Sequence, residues 1–316
     1  MNKSKLENSI ISTLIYYDVL GGYPLTAFEI YKYLDNCFCK FSDIFDILDN
    51  SSKIIQKNGF YFIKNNDSLI VKQRIERQKI ADKKWRKTIR IVKWFQIVPY
   101  LRMVAVSGSL SLNNTKEQSD LDLLIMAKYG RVWIVRFFLS VLTQIIGQRR
   151  HNKAIKDKIC LNQYITDEFL EFKLQNLSNA HSCANLVPIL ELDEFQEFIN
   201  ENQWLQEFLP VYYSIQNNKK HFKVIKQSNI LRFIAKSLEF VFNNKLGDFI
   251  EKTIGNWQKN KIIRKVKPEY VSFSQEEMRR NTKAHLCLSN ETLVFHYPIS
   301  RNLQVQNSYN KTISCV

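Results

Sequence analysis

The sequence predicts an α+β protein in which a small α/β core lies between two mainly helical regions. Apolar residues at three- and four-residue spacing fill both ends of the 316-residue chain, and such spacing is typical of amphipathic helices. Extended apolar runs are concentrated in the middle, at 100–106, 120–125 and 159–165. We therefore expect a mixed sheet with flanking helices.

Three helices and a hairpin are predicted within residues 1–66. Thr26 and Glu29 form a capping box at the start of the second helix, because each side chain can bond the backbone N–H of the other residue. The Asn58-Gly59 pair separates two apolar runs, which is a strong hairpin signal. This order of elements resembles a winged helix, so we treat residues 1–66 as a winged-helix-like module.

A winged helix often binds DNA through its third helix, and a DNA-binding regulator is therefore one hypothesis. The predicted third helix carries Asp43, Asp46 and Asp49, with only Lys40 nearby. Carboxylates are repelled by a phosphate backbone. A structural or protein-binding role for this module is the alternative that these residues favour.

A basic connecting helix is predicted for residues 67–98. Ten Lys and Arg residues within 72–93 oppose only Glu76 and Asp82, which gives +8, half of the chain's net charge of +16. Apolar residues recur at near-helical spacing up to Pro99, so one amphipathic helix should end there. Its cations either form a solvated face or bind a nucleic acid.

Residues 104–125 read VAVSGSLSLNNTKEQSDLDLLI. An apolar strand ends at Gly108-Ser109, a polar loop follows, and then Asp120 and Asp122 alternate with apolar residues. Residues two apart on a strand share a face, so the two carboxylates should lie side by side. Such a pair is suited to Mg²⁺, because this ion prefers oxygen ligands and substrate phosphates can complete its octahedron.

Gly108-Ser109 and the Ser-Asp-Leu-Asp-Leu run at 119–123 resemble the GS…SDxDL motif of DNA polymerase β-like nucleotidyltransferases, especially small bacterial members. The order of a winged-helix-like N-terminus, a basic helix, this motif and a helical C-terminus is similar to bacterial nucleotidyltransferase-domain proteins. The resemblance implies a nucleotidyltransferase core at 99–175 with a mixed sheet. A mainly helical C-terminal domain would follow at 176–316.

The resemblance also implies roles for these residues. Asp120 and Asp122 would be catalytic and would hold Mg²⁺, as one ion or as two, on a nucleoside triphosphate. Gly108, Ser109 and Ser119 would bind the nucleotide, since glycine allows close backbone approach and unpaired N–H groups at a helix start stabilise phosphate.

Arg131 and Arg136 follow the Asp-bearing strand and are further candidates for binding the nucleotide. The implied reaction transfers a nucleoside monophosphate from a triphosphate, ATP by default, to an acceptor hydroxyl and releases pyrophosphate. The acceptor could be a small molecule, a protein or an RNA end.

The family usually supplies a third carboxylate from a neighbouring strand. The strand predicted at 159–165 contains no acidic residue, and Asn162 is the expected occupant of that place. A neutral amide is a weaker ligand and not a base. A nucleotide-binding sensor or regulatory protein with impaired catalysis is therefore our second hypothesis. If the strand register differs, the substitutes are Asp157, Asp167, Glu168 and Glu171.

The remaining patterns concern the C-terminal part and the cell compartment. Beyond residue 175 the chain reads as helical, and 284–288 with 292–297 predict a hairpin. The longest apolar stretch, 132–146, is interrupted by Arg136 and Gln144, so it is not a membrane span. The start also lacks a signal-peptide core. We expect a soluble cytoplasmic protein with no membrane partner.

Overall fold

The computed structural model shows an α+β protein built around a mixed seven-stranded sheet. A second, three-stranded sheet lies in the N-terminal region. The structure describes residues 3–64, 69–151, 154–215, 223–281, 283–284, 286–295 and 309–310. The predicted boundary between residues 66 and 67 lies outside these residues.

The N-terminal region contains the predicted three helices and hairpin. Its elements are α1 (Lys3–Gly21), β1 (Leu25–Thr26), α2 (Ala27–Lys32), a 3₁₀ turn (Phe41–Ile44), α3 (Phe45–Asn50), β2 (Ile54–Lys57) and β3 (Phe60–Ile63). The capping box is confirmed, since Thr26 Oγ1 accepts from Glu29 N at 3.2 Å and Thr26 N donates to Glu29 Oε2 at 2.9 Å. The hairpin is confirmed too, with Asn58 and Gly59 at φ of 53° and 79°, as a two-residue turn requires.

The predicted basic helix is α4 (Leu69–Val92), followed by a 3₁₀ turn (Lys93–Ile97). The α-helix therefore ends earlier than the predicted position 98, because its last turns tighten into 3₁₀ geometry, which is common at helix C-termini. Ala81 and Trp85 on its inner face are buried.

The central sheet brings together strands from both sides of residue 175. They are β4 (Leu101–Val106), β5 (Leu121–Ala127), β6 (Ile159–Thr166), β7 (Val187–Leu190), β8 (Val271–Ser272), β9 (Leu286–Leu288) and β10 (Thr292–Phe295). The order is β7-β4-β5-β6-β10-β9-β8, in which β5 and β6 are parallel. The three predicted core strands are confirmed, as is the antiparallel C-terminal hairpin of β9 and β10; position 297 lies outside the described residues. The region predicted as mainly helical thus also completes the sheet.

Helices cover both faces of this sheet. They are α5 (Gly108–Ser111), α6 (Val132–Ile145), α7 (Leu177–Ala184), α8 (Leu192–Glu201), α9 (Leu205–Phe208), α10 (Pro210–Ile215), α11 (Asn229–Phe242), α12 (Lys245–Ile263) and α13 (Gln275–Arg280). Within the described residues, no helix combines the length and the apolar character needed to cross a membrane.

Within the described residues, two large apolar clusters lie one on each face of the central sheet, and a third, small cluster lies around Cys287. Met103 and Leu124 pack with the N-terminal helices and with the region 170–215. Val104 and Leu123 point to the other face and pack with α4, α6 and α12. Because successive strand residues alternate between faces, the N-terminal module shares one core with the sheet. This packing fixes β4 and β5, whose ends carry the predicted site.

Candidate metal and nucleotide site

The predicted site lies where β4 ends and where β5 and β6 begin. Gly108 starts α5 directly after β4, and Asp120 immediately precedes β5. Asp122 on β5 pairs with Cys160 on the parallel strand β6. One ligand atom from each of Asp120, Asp122 and Cys160 lies within 4.8 Å of the other two. The structure therefore brings the two predicted carboxylates together and adds a thiol.

Gly108 is required by a close approach to Asp122. Its φ is +66°, and a Cβ at this position would lie 2.6 Å from Asp122 Oδ2. Any other residue would carry backbone strain and a clash with the carboxylate. The neighbouring amide of Ser107 donates to the Asp122 carbonyl at 3.0 Å, which fixes the turn against the strand. Gly108 was predicted to allow a close approach of the backbone, and in the structure the group that approaches it is the Asp122 carboxylate. Ser109 follows on the same short helix.

Arg150 is the cation of this site. Its Nη1 lies 2.6 Å from Asp120 Oδ2 and 3.2 Å from Cys160 Sγ. Arg150 was not among the site residues predicted from the sequence. The parallel pairing of β5 with β6 brings the residues before both strands to the same edge of the sheet. This pairing is the signal that would have placed Arg150 beside Asp120.

Asn162 lies beside Asp122. The strand pairing passes from Leu161 to Gln163 without a partner for Asn162, so Asn162 is the extra residue of a β-bulge. Its Nδ2 donates to Asp122 Oδ1 at 3.2 Å. The amide therefore holds the carboxylate in place, and it adds no negative charge to the site.

Cys160 was missed from the sequence because its role depends on the strand pairing. Its Sγ lies 3.6 Å from the Asn162 Oδ1. Burial, followed by the nearby Asp122 charge, raises the pKa of the Cys160 thiol to about 12. The thiol is therefore neutral at physiological pH and does not act as a base.

The four substitute carboxylates lie elsewhere. Asp157 Oδ1 forms an ion pair with Lys84 Nζ at 2.6 Å. Asp167 follows the far end of β6 and accepts from Tyr129 N at 2.6 Å. Glu168 and Glu171 line a cleft at that same far end. Among the residues that the structure describes, none of these carboxylates joins the cluster of Asp120 and Asp122.

Helix α4 supports the loop between Gly108 and Asp120. Lys84 is buried and its Nζ donates to the Ser119 carbonyl at 2.6 Å. Trp85 Nε1 donates to Asn113 Oδ1 at 2.7 Å, and Asn113 adopts a left-handed φ of 52°. At least one cation of the predicted nucleic-acid surface therefore turns inward and orders the site, and the nucleotide-binding candidate Ser119 is held by its backbone.

Arg131 and Arg136 are not brought to the site. Arg131 follows the other end of β5 and pairs with Asp248 at 2.6 Å. Arg136 lies over the Phe295 ring, 4.5 Å from its centroid, and donates to Gln258. β5 runs away from Asp122 for about 17 Å before it reaches these arginines. Their positions therefore do not agree with the predicted contact to the nucleotide.

Comparison with known proteins identifies no relative. No family model, no curated protein and no solved structure matches the chain. Its function must therefore be inferred from its own residues and their geometry.

The donor set fits a divalent cation that carries phosphate. Asp120 and Asp122 offer converging carboxylate oxygens, which suit Mg²⁺. Cys160 offers a softer ligand, which Mn²⁺ or Zn²⁺ tolerates better than Mg²⁺ does. Arg150 adds a planar donor that binds carboxylate or phosphate oxygens. The three ligand atoms of Asp120, Asp122 and Cys160 lie close enough together to hold one metal ion.

Proposed function

We propose that this protein is a Mg²⁺-dependent nucleotidyltransferase that transfers a nucleoside monophosphate from a nucleoside triphosphate, ATP by default, to an acceptor hydroxyl. The observation that carries the proposal is the convergence of Asp120 and Asp122 beside the glycine turn at Gly108. The resemblance to DNA polymerase β-like nucleotidyltransferases supports it. The proposal includes a nucleotidyltransferase-type core and a winged-helix-like N-terminal module.

Asp120 and Asp122 would hold Mg²⁺ between them. When bound, this ion neutralises the triphosphate and the charge that develops on the departing pyrophosphate. Arg150 forms an ion pair with Asp120 in the structure. When the nucleotide binds, Arg150 would leave that carboxylate and bind a phosphate oxygen instead. Gly108 and Ser109 would line the phosphates from the end of β4.

Within the described residues, the proposed site has no evident general base to remove the proton from the acceptor hydroxyl. Asn162 orients Asp122 through its Nδ2 but accepts no proton at physiological pH. The raised pKa of the Cys160 thiol excludes it as a base as well. The proton would pass to solvent or to one of the two carboxylates, so we expect slow turnover.

A nucleotide sensor is the second candidate function. The observation that favours it is Asn162, a neutral amide beside Asp122, because the resemblance implies a third carboxylate from this strand. A sensor would bind a nucleoside triphosphate with Mg²⁺ and would release no pyrophosphate. The two candidates therefore share the binding step and differ in turnover.

Incubation of the full chain with α-labelled nucleoside triphosphates, Mg²⁺ and a cell extract tests the enzyme. We expect transfer of label to an acceptor and release of pyrophosphate, both of which Asp120→Ala combined with Asp122→Ala should abolish. Unchanged labelling by this double variant would contradict the assignment. Nucleotide binding without pyrophosphate release, in any extract fraction, would favour the sensor.

A further inference from the structure

Exposed apolar side chains lie along α11 and the first two turns of α12, away from the proposed site. Six large side chains among them are between 54 and 85% exposed. They are Ile230, Phe233, Phe240, Val241, Leu246 and Phe249. Because α12 follows α11 after only two residues, the six lie within one stretch of 20 residues. We call this stretch of side chains the α11–α12 surface.

The outward face of α11 is as apolar as its inward face. At about 100° per residue, Ile230, Phe233, Phe240 and Val241 share one side of the helix. On the opposite side Ala235 is buried, and the helix packs on the 3₁₀ turn that follows α4. Large apolar side chains that are exposed together usually mark an interaction surface, so the outward face is expected to have a partner.

The exposed area matches one half of a protein interface. A large apolar side chain exposes about 200 Å² when free, so the α11–α12 surface presents roughly 800 Å². The largest apolar patch on a typical monomer is about 300–600 Å². One partner of a standard interface contributes about 800 Å². The surface is therefore larger than a monomer usually leaves exposed and large enough for a stable dimer.

The residue pattern of the outward face is self-complementary. Ser237 lies at its centre between the rings of Phe233 and Phe240, and this small side chain leaves a gap that a ring from another helix can fill. Of the charged side chains of α11, Lys236 lies at the edge of the apolar stripe, and Arg232 and Glu239 lie on the far side of the helix. No row of like charges therefore opposes the pairing of two copies of α11.

We propose that the α11–α12 surface is the interface of a homodimer. Two copies of α11 would pack antiparallel about a two-fold axis near Ser237, so that Phe233 of one copy meets Val241 of the other. A two-fold interface uses the same patch on both subunits. The order of a large side chain at 233, a small one at 237 and a large one at 241 meets that requirement, because it is the same when α11 is reversed. The proposed catalytic site lies elsewhere on the chain and remains accessible in this dimer.

Sedimentation equilibrium of the full chain over a wide concentration range tests the dimer. We expect a mass twice the 37.5 kDa of the chain. Ser237→Glu should give a monomer, because it places a charge at the axis and leaves the apolar area intact. Gln78→Glu, which adds the same charge to an exposed position of α4, should remain dimeric. A wild-type monomer at high concentration, or a dimeric Ser237→Glu variant, would overturn the proposal.

Cross-linking gives a second test that does not depend on disrupting the interface. In a Cys315→Ser background, Ser237→Cys should cross-link to itself with a short bismaleimide, whereas Gln78→Cys should not. The five other cysteines are buried. Equal cross-linking of both variants would contradict the placement of the axis. A monomer that instead co-sediments with anionic phospholipid vesicles would also overturn the dimer and assign the surface to lipid.

Discussion

Two acidic regions lie at opposite ends of the central sheet, and among the residues that the structure describes the ligand atoms converge at one of them. The far end holds a cleft of about 580 Å³ whose lining includes Asp167, Glu168, Glu171, Glu197, Glu201, Glu276 and Glu291. The near end has fewer: Asp157 lies there, paired with Lys84, beside the pair of Asp120 and Asp122. Among the described residues, however, the ligand atoms that converge are those of this pair with Cys160. A cation needs several donors within about 2.0–2.6 Å, so convergence matters more than the number of carboxylates.

The two ends also differ in the groups that contact their carboxylates. Arg150 neutralises Asp120, the Asn162 amide bonds Asp122, and Gly108 leaves room for that carboxylate. Among the described residues that line the far cleft, Lys173 is the one cation and pairs with Glu171, while Arg102 pairs with Asp167 at 3.5 Å. A pair of carboxylates held by a replaceable cation is a preformed site, and three substitutions can test whether each support matters.

Gly108→Ala should have the largest effect of the three. The new Cβ would lie 2.6 Å from Asp122 Oδ2. Moving a catalytic group by about 1 Å can lower the reaction rate on the order of 100-fold. We expect a loss of that order in the rate of Mg²⁺-dependent pyrophosphate release. Gly147→Ala is the matched control, because its φ is +64° and no atom lies within 4 Å of the new Cβ. Equal losses in both variants would mean that backbone strain alone is responsible.

Asn162→Asp should restore the missing carboxylate. General-base catalysis contributes about 100-fold or more where it is well placed, and we expect an increase of on the order of tenfold in pyrophosphate release. Without metal the variant should melt at a lower temperature, because a third negative charge then lies beside Asp122, and Mg²⁺ should reverse that loss. Asn162→Ala removes the same hydrogen bond and adds no charge. An increase in this control as well would show that the amide inhibits the site sterically.

Arg150→Ala should have the smallest effect. The guanidinium competes with a cation for Asp120, but the pair is partly exposed, and exposed pairs contribute about 0.2–1 kcal/mol. We expect Mn²⁺ to bind up to about fivefold more tightly without nucleotide, measured by electron paramagnetic resonance, and the nucleotide to bind less tightly. Arg149→Ala should change neither value. Unchanged Mn²⁺ affinity in Arg150→Ala would show that the arginine does not compete with the metal.

The features that could be predicted from the sequence depend on short-range rules. The capping box of Thr26 and Glu29 and the turn at Asn58-Gly59 are set by residues within four positions of each other. The three core strands were predicted because apolar runs of five to seven residues are distinctive. The two aspartates followed from alternation along one strand.

The features that could not be predicted depend on pairing between distant segments. Cys160 and Arg150 reach the site only because β6 runs parallel to β5 after the crossover through α6. Arg131 and Arg136 were predicted as nucleotide contacts from their nearness in sequence, and the direction of β5 carries them to the opposite end. Outside the predicted hairpin of β9 and β10, the strands β7 and β8 have only four and two residues, which made them hard to distinguish from loops in a helical region.

Calorimetric titration of the full chain with a nucleoside triphosphate, with and without Mg²⁺, tests the central claim most directly. The comparison requires two double variants, Asp120→Ala with Asp122→Ala at the near end and Glu197→Gln with Glu201→Gln in the far cleft. We predict Mg²⁺-dependent binding by the wild type and by the far-cleft variant, and none by the near-end variant. Binding that survives in the near-end variant, or that is lost in the far-cleft variant, would contradict the assignment of the site to Asp120 and Asp122.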